Sequence, residues 1–299
     1  MSLTGKLRFA FGEAKTSAGV KTTGVGVTDG DWNIAAVEDL GGGLKAGANM
    51  SLRLRGRDAA TDAISGASAT DGNGARPRDS SMYLTGSFGT ITVGAVEAGN
   101  AMWGGVTAGA PTFIGLDNGV QLAAASNTDL LQYTSPSMSG FSFKVATLDP
   151  VGGGGAQTGG SNTNYGVNYA NGPLSAAVDM TSYGSASAAA ANSRTRMSVS
   201  YDLGVARVAV GYQDADNGTA ADKKESAFGV TVPMGAFTLG AVYATSKTDG
   251  VAGNNTGYDL AVQYALSKRT YVAFQAQSTK AAGVAGTNTN TRVQLAHSF

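Results

Sequence analysis

The 299-residue chain carries 21 basic and 21 acidic side chains and no cysteine, so its formal net charge is zero. This composition excludes a disulfide framework, a cysteine metal site and a strongly basic surface for nucleic acid. Charged residues make up only 14% of the chain, against roughly 25% in soluble domains, and no apolar run approaches the ~18 residues of a membrane helix. No signal peptide precedes the first predicted strand, so Met1 is interpreted as the start of a mature or engineered chain.

Segments with strict alternation of apolar and polar residues follow one another from the N-terminus onward. In the first, 3–11, Leu7 and Phe9 share the face opposite Lys6 and Arg8. The same alternation occurs at 44–57, 194–201, 207–213 and 258–264, and the second strand is expected at 31–37. A period of two residues indicates β-strands whose one face meets apolar surroundings and whose other face meets water.

The connections between these strands alternate between two kinds. Short turns rich in Gly, Pro and Asn are predicted at 41–43, 88–89, 136–138, 171–172, 203–204, 233–235 and 267–268, the later ones at intervals of about 32 residues. Longer polar connections are predicted at 58–79, 97–127, 151–162, 184–193, 215–222, 247–255 and 281–289. With one more long loop after the first strand, the pattern predicts sixteen strands, an even number that leaves no open sheet edge.

A soluble β-sandwich would also show alternating strands. Two features favour a membrane barrel instead. The predicted strands have about ten residues, the length of a tilted transmembrane strand. Tyrosines also recur near strand ends, as in an aromatic girdle, at Tyr133, Tyr169, Tyr201, Tyr212 and Tyr264. The sequence therefore predicts an all-β fold, a transmembrane antiparallel β-barrel of sixteen strands forming a single domain over residues 1–299.

Five segments in order along the chain resemble the general porins of Gram-negative bacteria, particularly those of β-proteobacteria. They are EDLGGGLKAG at 38–47, LTGSFGTITVG at 84–94, QYTSP at 132–136 followed by GFSF at 140–143, YALSKRT at 264–270 and VQLAHSF at 293–299. The resemblance implies an outer-membrane location and passive diffusion of small hydrophilic solutes and ions through a water-filled pore. It also implies a homotrimer in contact with outer-membrane lipid and lipopolysaccharide.

The resemblance also implies roles for particular segments. The third long loop, 97–127, is expected to fold inward and constrict the pore, with Glu97, Trp103, Asp117 and Gln121 in it. The second long loop, 58–79, is expected to contact a neighbouring subunit. Phe299, the last residue of the terminal strand, is expected to act as an assembly signal.

Basic residues dominate the predicted water-facing sides of the strands. We expect the pore to be lined by Lys6, Arg8, Arg53, Arg55, Arg57, Arg78, Lys144, Arg194, Arg196, Arg207 and Arg292, with Asp179, Glu225 and Asp259 as acids on the same side. Rings of one charge sign attract ions of the opposite sign, which predicts a preference for anions. The preference for anions is expected to be weak for two reasons. The second strand has no Arg where relatives often have one, and Gln121 stands at a position where relatives can carry Arg.

The sequence leaves three alternatives to a general diffusion pore. Arg53, Arg55 and Arg57 could form a binding site in a channel specific for phosphate or an organic acid. A non-conducting barrel that serves as an anchor is the second. Catalysis is the least favoured, because the one histidine, His297, is in the last strand without a placed nucleophile, and the glycine run at 152–155 lacks the Lys of a phosphate-binding loop. No enzyme activity, metal, cofactor or nucleic-acid partner is expected.

Overall fold

The computed structural model describes residues 1–53, 76–97, 127–149, 162–184, 192–218 and 220–299. Within these ranges the chain forms sixteen β-strands. They are β1 (Ser2–Lys15), β2 (Lys21–Gly41), β3 (Leu44–Arg53), β4 (Arg76–Gly86), β5 (Gly89–Glu97), β6 (Asn127–Thr134), β7 (Phe141–Asp149), β8 (Asn162–Asn171), β9 (Leu174–Ser182), β10 (Ser193–Asp202), β11 (Arg207–Asp216), β12 (Lys223–Met234), β13 (Phe237–Thr248), β14 (Asn255–Ala265), β15 (Thr270–Lys280) and β16 (Asn288–Ser298). None of the described segments is a helix long and apolar enough to cross a membrane.

Each strand pairs antiparallel with its neighbours in the sequence, and β1 pairs with β16 to close the sheet. The closing register runs from Lys6 opposite Ser298 to Lys15 opposite Thr289. Closure satisfies the backbone hydrogen-bonding groups that an edge strand would leave exposed to lipid. The predicted closed, antiparallel, sixteen-stranded barrel is confirmed.

The short connections all lie at one end of the barrel, where β1 also begins and β16 ends. Their sequences explain their shape, because Gly41, Gly42 and Gly43 follow one another with positive φ angles of 85°, 61° and 81°. Such angles are strained for residues with a Cβ atom and common for glycine. All seven predicted short turns fall between consecutive strands, so their positions are confirmed.

Burial in this barrel is inverted relative to a soluble domain. Among the described residues, the largest fully buried side chains are polar or charged: Gln213, Gln275, Glu225, Asp259 and Ser246. Large apolar side chains such as Phe11, Leu131 and Phe274 are instead exposed on the outside. The outer face therefore suits hydrocarbon, and the polar side chains crowd the interior.

Aromatic side chains pair on the outer face close to the short turns. Phe141 at the start of β7 contacts Tyr169 near the end of β8, with ring centroids 4.5 Å apart. Phe237 and Tyr264 on β13 and β14 repeat the arrangement at 4.8 Å. Rings at this level match an interfacial girdle, in which tyrosine hydroxyls reach water and the ring faces lie against lipid. Tyr212 differs, because it lies in the middle of β11.

Two predicted boundaries differ from the structure. The sequence predicts the second strand at 31–37, but β2 extends from Lys21 to Gly41. Its first half is rich in glycine and threonine, which hides the alternation, while pairing with β1 keeps it extended. The second long loop was expected to reach residue 79, but β4 already begins at Arg76.

Candidate functional site

The inner wall of the barrel carries most of the ionisable side chains that sequence reasoning assigned to the pore. On β1, Lys6 and Arg8 alternate with the exposed Leu7 and Phe9, so they lie on the inner face. Strand register and the alternation of side chains place further predicted cations on the inner face: Arg53, Arg78, Lys144, Arg194, Arg196, Arg207 and Arg292. The remaining predicted residues Arg55, Arg57, Trp103, Asp117 and Gln121 lie outside the described residues, and Glu97 is the last residue of β5.

Six inner side chains, four of them predicted, form a cluster across four neighbouring strands, here called the β1–β4 cluster: Lys6, Arg8, Asp29, Asp31, Arg53 and Arg78. Lys6 Nζ lies 2.7 Å from Asp29 Oδ2 and 3.2 Å from Asp31 Oδ2. Arg78 Nη1 donates a hydrogen bond of 2.8 Å to Asp31 Oδ2. The longer pairs are Arg8 Nη1 to Asp29 Oδ2 at 3.4 Å and Arg53 Nε to Asp31 Oδ1 at 3.8 Å. Four cations thus surround two carboxylates.

The backbone brings these residues together through strand register and two irregularities. Lys6 is directly opposite Asp31, and Arg8 is opposite Asp29. A bulge follows, in which the extra residue Thr28 also faces inward and its hydroxyl lies 3.3 Å from Gln294 Oε1. A second register shift between β3 and β4 accommodates Arg78 and Asp79 beside Ser51, whose Oγ accepts a hydrogen bond from the Asp79 backbone N–H. Bulges of this kind re-aim side chains.

A second group of polar and charged side chains lies on β8 to β12, about halfway around the barrel wall. It is called the β8–β12 network and consists of Asn164, Asp179, Arg196, Gln213, Glu225 and Lys223. Arg196 Nε donates to Gln213 Oε1 at 2.7 Å, and Gln213 Nε2 donates to Glu225 Oε2 at 2.7 Å. Lys223 Nζ reaches Glu225 Oε1 at 2.5 Å. Arg196 is also opposite Asp179, to which Asn164 donates at 3.5 Å. The amide of Gln213 therefore links the half-buried Arg196 to the buried Glu225 through two hydrogen bonds.

The other predicted cations make separate contacts. Arg207 Nη2 donates to Ser200 Oγ at 2.9 Å, and the guanidinium carbon of Arg194 lies 5.7 Å from the centroid of the Tyr183 ring. Arg292 sits on β16 opposite Gly12, where a Cβ atom would come within 2.8 Å of the Arg292 Cβ. A glycine at this position makes room for the buried arginine.

Sequence reasoning did not assign several charged residues to the inner wall, among them Asp29, Asp31, Asp79 and Lys223. The expectation that the inner acids are Asp179, Glu225 and Asp259 was therefore incomplete. Asp31 is the first residue of the predicted second strand, 31–37, but was not assigned to the inner wall. Asp29 lies two residues before that strand, and extending the strand toward the N-terminus would have placed it on the same face as Asp31. No local signal could have shown that they meet cations from three other strands.

Phe299 lies at the seam where the barrel closes. The backbone N–H of Gly5 donates to Phe299 O at 3.0 Å, and Phe299 N–H donates to Gly5 O at 2.9 Å. The Phe299 ring occupies the space beside Gly5 where a side chain would otherwise project, and it meets the Trp32 ring edge-on at 6.5 Å between centroids. His297, two residues earlier, is exposed, and its Nδ1 lies 2.9 Å from Thr270 Oγ1.

Among the described residues, no group of three or more His, Asp or Glu side chains is placed to hold a metal ion. The arrangement consists instead of fixed charges along a polar inner wall, which acts on whatever passes through the barrel.

Comparison with known proteins identifies the family. The sequence profile described as Gram-negative porin matches residues 1–283. The chain belongs to the Gram-negative porin family. Among proteins with curated descriptions, none matches the sequence significantly. Porins of this family are outer-membrane channels, and this porin accordingly allows passive diffusion of small hydrophilic solutes through its barrel.

Solved structures show the same fold. The anion-selective porin from Comamonas acidovorans is 21% identical, with a TM-score of 0.75 over 100% of this porin and 99% of that chain. A variant of the Rhodobacter blastica porin with five substitutions is 17% identical, with a TM-score of 0.71 and full coverage of both chains. At these identities the likeness concerns the barrel and not the individual wall residues.

Proposed function

We propose that this porin is a general diffusion pore with a weak preference for anions. The observation that carries the proposal is the charge of the inner wall within the described strands. Its cations are Lys6, Arg8, Lys45, Arg53, Arg78, Lys144, Arg194, Arg196, Arg207, Lys223 and Arg292, and its acids, which are fewer, are Asp29, Asp31, Asp39, Asp79, Asp179, Asp202, Glu225 and Asp259. Fixed charges of one sign in excess raise the local concentration of counter-ions.

The preference is proposed to be weak because much of the positive charge is paired. Every cation of the β1–β4 cluster lies within 4 Å of a carboxylate, as does Lys223 on the opposite arc. Neighbouring opposite charges largely cancel beyond about one Debye length, roughly 8–10 Å in physiological salt. The anion selectivity of the porin from Comamonas acidovorans is in line with the sign of the preference.

Planar-bilayer recording of the purified porin under a KCl gradient tests the proposal. We expect stepwise openings and a reversal potential displaced toward that of chloride, with a chloride-to-potassium permeability ratio of about two to five. A reversal potential displaced toward that of potassium would contradict the anion preference.

The same recordings separate the remaining alternatives. In a channel specific for phosphate or an organic acid, millimolar amounts of that anion would block chloride current, and a general pore would show no such saturation. A non-conducting anchor would give no openings from folded, inserted protein. We propose that the channel is not an enzyme, in keeping with a family of channels.

We further propose that the porin is a homotrimer embedded in lipid and lipopolysaccharide, with 58–79 contacting a neighbour, 97–127 narrowing each pore and Phe299 serving as assembly signal. The family membership supports the oligomer. Chemical cross-linking of the detergent-purified protein should give a ladder ending at three chains, and a ladder ending at one chain would contradict it.

A further inference from the structure

Asp31 occupies the centre of the β1–β4 cluster. Its carboxylate lies within 4 Å of Lys6 on β1, Arg53 on β3 and Arg78 on β4. Asp29, two residues earlier on the same face of β2, binds Lys6 again and also Arg8. The two acids of β2 therefore connect cations that three other strands, β1, β3 and β4, contribute.

The carboxylates lie behind the cations as seen from the pore. The side chain of Asp31 is 4% exposed and that of Asp29 is 13% exposed. The four cations are 23–35% exposed. An ion in the pore therefore meets the ammonium and guanidinium groups first, while the acids beneath them reduce the potential those groups produce.

We propose that Asp31, supported by Asp29, sets how strongly this porin selects between anions and cations. The inference rests on the proposed anion preference, which it deepens by naming the residues that keep it weak. Asp31 acts in two ways: its negative charge offsets part of the wall charge, and its contacts with Lys6 and Arg78 hold both side chains against the wall.

Removing the Asp31 charge should strengthen the preference measurably. A unit charge several ångströms from a permeating ion in water changes its energy by an amount comparable to thermal energy, although salt screens it. In Asp31→Asn we expect the chloride-to-potassium permeability ratio to rise about two- to threefold over wild type. Asp29→Asn should shift the ratio in the same direction by a smaller factor, because Asp29 binds two of the four cations and Asp31 binds three.

The experiment compares reversal potentials in planar bilayers for wild type, Asp31→Asn, Asp29→Asn and the control Glu13→Gln. Glu13 pairs with Lys21 on the outer face, and its substitution removes one negative charge from the protein without changing the inner wall. The control should keep the wild-type ratio. An unchanged ratio in folded, conducting Asp31→Asn, or an equal rise in Glu13→Gln, would overturn the inference.

Asp31→Asn leaves three cations close together and could prevent folding, so a charge-balanced variant completes the series. In Asp31→Asn/Arg78→Gln the charge of the wall equals that of wild type, and the ratio should return to within about 1.5-fold of the wild-type value. A double variant that conducts with a clearly different ratio would contradict the charge argument. The permeability ratio of the wild type by itself tests the proposed anion preference. If the wild type prefers cations and the chloride-to-potassium ratio still rises in Asp31→Asn, the anion preference is refuted while the role of Asp31 is supported.

Discussion

At the scale of single residues, Gly5 shows how a missing side chain can hold the barrel closed. Its backbone exchanges two hydrogen bonds with Phe299, and the Phe299 ring lies where a Gly5 Cβ would be. The ring then covers the seam between the first and last strands and reaches Trp32 on β2. A glycine in a strand usually weakens it, so its presence here fits a site of close ring approach.

Replacing Gly5 by valine should therefore destabilise the seam. The new side chain would displace the Phe299 ring, and overpacking of this kind costs about 1–3 kcal/mol. Urea unfolding of the porin in lipid vesicles, followed by tryptophan fluorescence, would measure the loss. The matched control is Leu3→Val, an exposed outer-face position on the same strand, which should change the unfolding free energy by less than about 1 kcal/mol. Equal effects of the two substitutions would argue against a specific role for Gly5.

At the scale of strands, the bulge between β1 and β2 adds a residue without changing which side chains face the pore. Arg8 is opposite Asp29 and Phe9 is opposite Val27, so Thr28 has no partner of its own in β1. Because side chains alternate with a period of two, an extra residue elsewhere would turn the rest of the strand over. The bulge accommodates the extra residue Thr28, so Asp29 still faces inward, like Arg8, and Val27 still faces outward, like Phe9.

Deleting Thr28 should consequently be tolerated. The ladder would become regular, and the loss would be limited to the hydroxyl contacts with Gln294 and Arg8, about 0.5–1.5 kcal/mol. Deleting Leu260 from β14, which pairs without register shifts, would instead move either Asp259 or Gln263 to the lipid side. The measurements are the yield of protein in the outer membrane and the heat resistance of the folded form, seen as a separate band on gel electrophoresis. Both should be near wild type when Thr28 is deleted, and both should be lost when Leu260 is deleted. Similar yields for both would show that register is not specified as argued.

At the scale of the whole molecule, the barrel is a closed ring of strands, so the pairing pattern is the same wherever the chain begins. Each strand contacts the strand before and after it, and β1 and β16 contact each other in the same antiparallel manner. The two ends of the chain meet at the short-turn end, where Gly5 and Phe299 are hydrogen-bonded. The wall charges depend on this closed order and not on which strand comes first.

A circular permutant tests this directly. Joining Phe299 to Met1 by a short linker and opening the turn between Ser267 and Lys268 keeps every strand pair. After refolding into lipid, the permutant should conduct with the reversal potential of wild type. Opening the chain between Val93 and Gly94 cuts β5 in the middle and should abolish the pore. A permutant opened at the turn that fails to conduct would show that chain order is needed for more than strand pairing.

Much of this architecture followed from the sequence because its signals are local. Alternation with a period of two is visible within one strand, and the glycine-rich turns mark each hairpin, as at 41–43. These features determined the strand number, the closed topology and the apolar outer face. The glycine- and threonine-rich first half of β2 carried a weak signal, which is why Asp29 was overlooked.

Which charges meet along the pore wall was decided only by the tertiary structure. Asp31 is separated by 25 residues from Lys6 and by 47 from Arg78, yet all three side chains converge. Their contact depends on the register of three strand pairs and on two bulges, and a shift of one residue in any of them would turn a side chain outward. The sequence by itself thus determined a polar-lined barrel with an excess of basic residues toward its interior. Only the folded sheet paired those cations with Asp29 and Asp31, because ion pairing requires positions that no single strand specifies.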